Sequence, residues 1–335
     1  MSMNTTAAFG QHASVEPLLV DCLIVVLNVI CGEVVGILGI AANAVSIVVF
    51  CKLGFRDSVD VTLTALAISD IGSLVSLQFY YIMINPWVSS VQPPFEISDA
   101  ILLLSLYPHI YFIRVSGLIT AFAALERCVC VVLPLKVHDI FSCKGSILIV
   151  SIIFTVSISN VVAPYYYLNL EWTFSPERNS TILRIVPKEN WYFGIRLSYM
   201  VNDIFVQYLT FAVLIASTAI TSVNLHKNAI WRKSISKSEH RKVENKVSIK
   251  EIKVVRMLSL VSVSFIVCLL PLCATLTAVG VVKELSQNGA YYQVARLSYC
   301  ISFLLETVSS SMNAFIYFNM SSKYKNTLKM FFLNA

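Results

Sequence analysis

Seven ionisable side chains interrupt long apolar runs of this chain: Asp70, His109, Arg114, Glu126, Arg127, Asp203 and Glu306. An ionised group in such a setting is costly unless it is paired, and there it reads first as functional. Glu126 and Arg127 are adjacent, near the end of the apolar stretch 118–137 (LITAFAALERCVCVVLPLKV). Pro134 follows, and it ends a helix because it lacks an N–H and clashes with the preceding turn. The chemistry open to these groups is ion pairing and hydrogen bonding. An enzyme would need a nucleophile or metal constellation, but four of the five histidines (His12, His138, His226, His240) fall outside the apolar runs. The nine cysteines form no CxxC pair and show no metal-ligand spacing.

Spacing groups these residues into layers. Asp70 needs partners, and Asn43, Ser116, Ser309 and Asn313 are polar residues in otherwise apolar runs. His109 lies seven residues before Ser116, and Glu306 seven before Asn313. Two helical turns span about 10 Å and return to the same face. If Ser116 and Asn313 share the Asp70 layer, His109 and Glu306 face each other one layer away. Arg114 is five residues from His109 and points about 140° away from it, so it needs a different partner. With Tyr299 and Tyr111 nearby, the charged pairs suit a small polar or zwitterionic ligand.

The elements that carry these residues are membrane helices. The chain has 335 residues, 57% hydrophobic and 13% charged, with mean hydropathy +0.74. A soluble domain carries about 25% charge. Seven runs, at about 23–50, 61–84, 100–132, 147–168, 197–223, 254–282 and 294–318, are long enough to cross a bilayer. The predicted fold is therefore an all-α integral membrane bundle of seven helices over 23–320, with a tail at 1–22 and a short amphipathic helix at 321–335. The N-terminus shows no basic region leading into an apolar stretch, so the first helix is expected to act as signal anchor. Arg114, Arg178, Arg184, Lys188, Arg196, Lys283 and Arg296 are the only seven of 25 Lys and Arg on one side or within the bundle. The charge rule puts the basic-rich side in the cytoplasm and the N-terminus outside, in the plasma membrane. The net charge of +6 follows these loops and implies no nucleic-acid partner. Sequons at Asn4 and Asn179 fall on the outer side, whereas the one at Asn319 falls inside. Segment 321–332 (SSKYKNTLKMFF) places Lys323, Lys325 and Lys329 among Tyr324, Leu328, Phe331 and Phe332, a helix suited to lie on anionic membrane lipids.

Seven helices, Glu-Arg-Cys at 126–128 and Pro134-Leu135 together resemble the rhodopsin-like (class A) G-protein-coupled receptors. Asn43, Asp70, Phe265-x-x-Cys268-x-x-Pro271 and Asn313-Ala314-Phe315-Ile316-Tyr317 match that family's motifs in order, and the match covers about residues 33–332. The stretches GFRDSV, SDIGSL, YPHIYFIR and LERCVCVVLPLKV resemble the chemosensory receptors of gastropod molluscs. There are departures: Ala314 stands where Pro is usual and Leu269 where Trp is common. The fourth run has no Trp, and the fifth has no Pro. No Cys begins the third helix or lies in 171–196, so the family's extracellular disulfide is not expected.

The resemblance implies a receptor for a small extracellular ligand that activates a heterotrimeric G protein. In it Arg127 would be tied at rest to Glu251, which stands 20 residues before Pro271, the hinge of the sixth helix. Leu135 would be an apolar knob for the G protein, and Tyr317 would swing inward on activation. Asp70, Ser116, Ser309 and Asn313 would hold an allosteric sodium ion, with no other cofactor. Asp203 would meet Arg114, leaving His109 and Glu306 for the ligand. Glu251 as a solvated charge, the Asp70 cluster as a metal-free network and Tyr317 as an interfacial anchor stay open. So does a polytopic channel or proton-coupled transporter, given Glu33, Arg114, Asp203 and Glu306 in or near the spans; the chain shows no internal repeat to support it. No Lys lies in 294–318 to carry an opsin's Schiff base.

Overall fold

A computed structural model describes residues 16–55, 57–132, 142–235, 242–286 and 289–333, without side-chain detail at 89, 226, 228–252 and 331–333. Asn4 and Leu135 lie outside the described residues, and Glu251 lies on a described helix whose side chains there are outside the description. Helices α1 (Pro17–Leu53), α2 (Ser58–Met83), α3 (Ile97–Val132), α4 (Cys143–Tyr167), α5 (Trp191–Leu225, continuing to Ile235) and α6 (Lys242–Val281) are each long and apolar enough to cross a membrane. Helix α7 (Tyr292–Met320) is 29 residues long. It is less apolar because it buries Glu306, Thr307, Ser309, Ser310 and Asn313 toward its neighbours. Helix α8 (Ser322–Leu333) closes the chain.

Helix α1 begins at Pro17, six residues before the expected boundary at 23. Proline suits a first helical position, where its missing N–H has no partner to lose. The helix stops at Gly54, whose φ of 80° is a left-handed cap open to glycine. Helix α4 starts at Ser142, whose side chain accepts the Gly145 N–H at 3.1 Å. Buried hydroxyls on these helices bond back to their own carbonyls, as Thr120 does to Ser116 O and Ser262 to Leu258 O. That satisfies them where no water is available.

Helix α3 is the hub, packing on α2, α4, α5 and α6, while α7 closes the ring against α1 and α6. Gly39 allows α1 and α7 to approach: a Cβ there would lie 2.0 Å from Ser311 Oγ. Asn43 Nδ2 spans the same seam to Ser310 O at 2.9 Å. Three helices change winding toward one end of the bundle, with π-helical turns at Val25–Gly32 in α1, Leu102–Leu106 in α3 and Tyr199–Val206 in α5.

Between α4 and α5 the polar stretch forms a hairpin that the sequence reading left as a loop. Strands β1 (Leu168–Ser175) and β2 (Ser180–Pro187) pair antiparallel, with Trp172 opposite Leu183. Asn179 at its tip is exposed, with φ 44°. The hairpin marks one end of the bundle, and Arg127 the other.

Candidate functional site

Helix α3 places four polar groups along its length. Nearest the hairpin, His109 Nε2 lies 2.8 Å from Glu306 Oε2 of α7, and both side chains are fully buried. The other ring nitrogen, Nδ1, lies 3.0 Å from Ser73 Oγ of α2, so one imidazole joins three helices. The second carboxylate oxygen, Glu306 Oε1, has no hydrogen-bond partner. Phe303 meets His109 edge-on, and Tyr80 and Tyr299 pack on Phe303, so aromatic rings close this pair in. Tyr111 does not join them: its hydroxyl donates to Phe154 O on α4, because it points to the opposite side of α3.

Arg114, turned away from His109, reaches α5. Its Nη2 donates to Asp203 Oδ1 at 3.1 Å, and Nη1 donates to Gln207 Oε1. Asp203 sits in the π-helical part of α5, and Gln207 follows four residues on, where an α-helical turn begins. That spacing was readable: residues four apart share a face.

One layer further, Asp70 accepts from Ser116 Oγ at 3.0 Å and from Asn313 Nδ2 at 2.7 Å. Ser69 Oγ extends this network to Ser116 at 2.8 Å. Ser309, expected here, and Ser310 are both buried on α7 beside Asn313. The cluster's carboxylate, hydroxyls and amide are hard oxygen donors that suit a small cation. Among the described residues no group of three or more His, Cys, Asp or Glu assembles, so one carboxylate matches one positive charge. Asp70, Ser116 and Asn313 would hold such an ion and offset the buried carboxylate's charge.

At the far end of α3, Arg127 Nη2 donates to Glu126 Oε1 at 2.7 Å. Glu126 Oε2 accepts from Ser58 Oγ of α2 at 2.9 Å, and Ser58 in turn meets Ser146 of α4. These serines were not predicted; each stands at a helix start and becomes a partner only through packing. A narrow cleft with room for about one water opens beside Arg127, lined by Thr218 and Thr221 of α5 and Ser259 and Ser262 of α6. Arg127 Nε and Thr218 Oγ1 both lack hydrogen-bond partners. Pro271 lies inside α6, with Thr275 Oγ1 donating to Pro271 O.

Tyr317 is wholly buried between Phe50 and Tyr324, both rings edge-on or tilted, and its hydroxyl has no partner. It is a packed core residue here, not an interfacial anchor. Tyr324 is tied down from α8, its hydroxyl 2.9 Å from Ser46 Oγ of α1. No disulfide joins any of the nine cysteines.

A ring of seven membrane helices, cross-tied through its third helix by buried ion pairs, has the architecture of a transmembrane receptor. Residues 42–317 match the model of the 7 transmembrane receptor (rhodopsin family), and the chain belongs to that family. It is a multi-pass membrane receptor of the G-protein-coupled class, and not an enzyme. It is similar to lysophosphatidic acid receptor 4 of Homo sapiens, 23% identical over 314 residues, which covers 90% of this chain and 76% of that receptor.

Proposed function

We propose that this receptor detects a small polar or zwitterionic solute at its hairpin end, outside the cell, and activates a heterotrimeric G protein at its Arg127 end. The observation that carries the reading is that α3 holds both sites. His109 is bound to Glu306 at one end, and Arg127 is bound to Glu126 at the other, 18 residues or roughly 27 Å along the same helix.

A ligand shifts a two-state receptor only through its differential affinity for the two states. Reversing a 1:99 population takes about 5.5 kcal/mol, whereas one hydrogen bond to a charged group supplies about 1.5–3 kcal/mol. A single contact is too little. A ligand that competes for both His109–Glu306 and Arg114–Asp203 reaches the required range, and it moves α7 and α5 relative to α3. At the inner end Glu251 joins the restraint on Arg127, and α6 swings about Pro271 to widen the cleft. Tyr317 then turns inward, and Leu135 meets the G protein. Asp70, Ser116 and Asn313 hold sodium at rest, while the basic face of α8 lies on the inner leaflet.

The receptor sits in the plasma membrane with its N-terminus outside and glycans on Asn4 and Asn179. The stretches shared with gastropod mollusc receptors support a chemosensory role. A phosphate-bearing lipid is a second reading, favoured by similarity to a receptor named for lysophosphatidic acid. Its phosphate would have to take Arg114 from Asp203 and Gln207.

The test is a G-protein dissociation sensor in cells expressing the receptor, challenged with amino acids, amines and lysophosphatidic acid, with Arg127→Ala as control. A polar solute should elicit a response that Arg127→Ala abolishes. His109→Ala and Glu306→Gln should raise the half-maximal concentration at least tenfold at normal surface level. A response to the lipid alone refutes the polar ligand; a ligand-evoked current without G-protein dissociation refutes the receptor mechanism in favour of a channel.

A further inference from the structure

The hairpin leaves α4 at Leu168 and returns toward α5, yet its second strand is bound to a segment of neither helix. Leu183 donates its N–H to Pro94 O at 3.0 Å and accepts the Glu96 N–H at 2.9 Å, making Phe95 its parallel bridge partner. Ile185 N–H donates to Asp99 Oδ2 at 2.7 Å. From the tip, Arg178 donates to Pro93 O at 3.1 Å and Phe95 O at 3.3 Å, and stands 3.6 Å from Glu96 Oε2. The link is therefore made at three points: a backbone bridge at Leu183, flanked by a charged side chain on backbone groups on either side, Arg178 at the tip and Asp99 at Ile185. Such charge-assisted bonds are the stronger kind, but they break and re-form without chemistry.

We propose that Asp99 and Arg178 are positioning residues that form a reversible polar latch, holding the hairpin against the head of α3. Asp99 lies in the first turn of α3, Ile97–Ile101, and the helix runs on from there to His109 and Arg127. Release of the latch frees the hairpin and removes a restraint from the helix that carries both sites. With no disulfide among the cysteines, the latch needs no thiol oxidation and survives reduction. This inference stands on the outer contacts alone and holds whatever the receptor's ligand.

Hydrogen exchange of the full-length purified receptor reads the latch directly. In the wild type, amides 180–187 should exchange slowly, and a thiol reductant should leave the rate unchanged. Asp99→Ala with Arg178→Ala should accelerate that exchange at least tenfold, while amides within α2 and α3 keep their wild-type rates. Phe95 and Leu183 are direct strand partners, a placement suited to a disulfide. Phe95→Cys with Leu183→Cys on the double-variant background, once oxidised, should restore slow exchange and make it reductant-sensitive. Wild-type protection in the double variant overturns the proposal, as does a reductant-induced rise in the wild type. If the double variant fails to fold, Asp99→Ala alone is read at Ile185, where unchanged protection also overturns it.

Discussion

Tyr317 and Tyr324 allow one substitution to be made twice with opposite expected signs. Their rings touch, both pack on Phe50, and both are almost fully buried. Tyr324 OH has a partner in Ser46, whereas Tyr317 OH has none. A buried hydroxyl without a partner carries a desolvation cost of about 1–3 kcal/mol, and a satisfied one contributes about 0.5–1.5 kcal/mol. Tyr317→Phe keeps the ring contacts and removes the cost, so the resting state should gain about 1–3 kcal/mol. That corresponds to a basal active population lower by a factor of about 5 or more, at roughly 1.4 kcal/mol per tenfold. Tyr324→Phe should instead lose about 0.5–1.5 kcal/mol with the bond to Ser46, whose hydroxyl keeps only its bond to Ala42 O. The assays are thermal unfolding of the purified receptor and basal G-protein dissociation at matched surface level. Tyr317→Phe should melt a few degrees above wild type, and Tyr324→Phe below it. A lower melting point for Tyr317→Phe, or the same sign for both, would refute the assignment of the orphan hydroxyl.

Asp203→Asn removes one partner of a buried pair, which typically costs about 3–5 kcal/mol, so surface expression should fall sharply; near-normal expression would show that Arg114 is held by Gln207 alone. If Asp70 takes sodium, replacing choline with sodium should raise the melting temperature, and Asp70→Asn should abolish the difference. Glycosidase treatment should shift the mobility of a variant retaining only the Asn179 sequon and leave one retaining only Asn319 unmoved; the reverse result inverts the topology. Partial burial lowers the Lys323 pKa, but its bonds to Asp60 at 3.0 Å and Asp57 at 3.1 Å outweigh this and raise it. A raised pKa gives stability that is complete below the ordinary lysine value near 10.4 and lost only above it. Lys323→Gln should therefore speed exchange in α8 by the same factor at pH 6 and pH 9.

The helices were legible because membrane spans are long and their apolar content is decisive. Their ends were not, since a cap such as Pro17 or Gly54 outweighs a hydropathy average. The His109–Glu306 meeting followed from paired seven-residue spacings, and Gln207 and Ser73 were within reach of the same reasoning. Consecutive serines defeated it. Ser310 O accepts from Asn43, whereas Ser311 donates to Val35 O and Thr307 O, duties separated only by rotation about α7. The hairpin carried a readable alternation in Leu170, Trp172 and Phe174, but its attachment to 94–99 is a non-local contact without sequence period. The partners of Glu126 were hidden for the same reason.

The π-helical turns in α1, α3 and α5 act as phase shifters. A turn closed over five residues instead of four inserts one residue, and each residue is worth about 100° of rotation about the axis. Side chains on the hairpin side of Leu102–Leu106 and Tyr199–Val206 are therefore indexed separately from those on the Arg127 side. One residue gained or lost within such a segment would turn a new set of side chains toward the centre of the bundle at one end. The Asp70, Glu126 and Arg127 layers would keep their facing. Such a slip in α3 would re-aim only its hairpin-side head, Ile97–Ile101, while His109, Arg114 and the end at Arg127 stay in step.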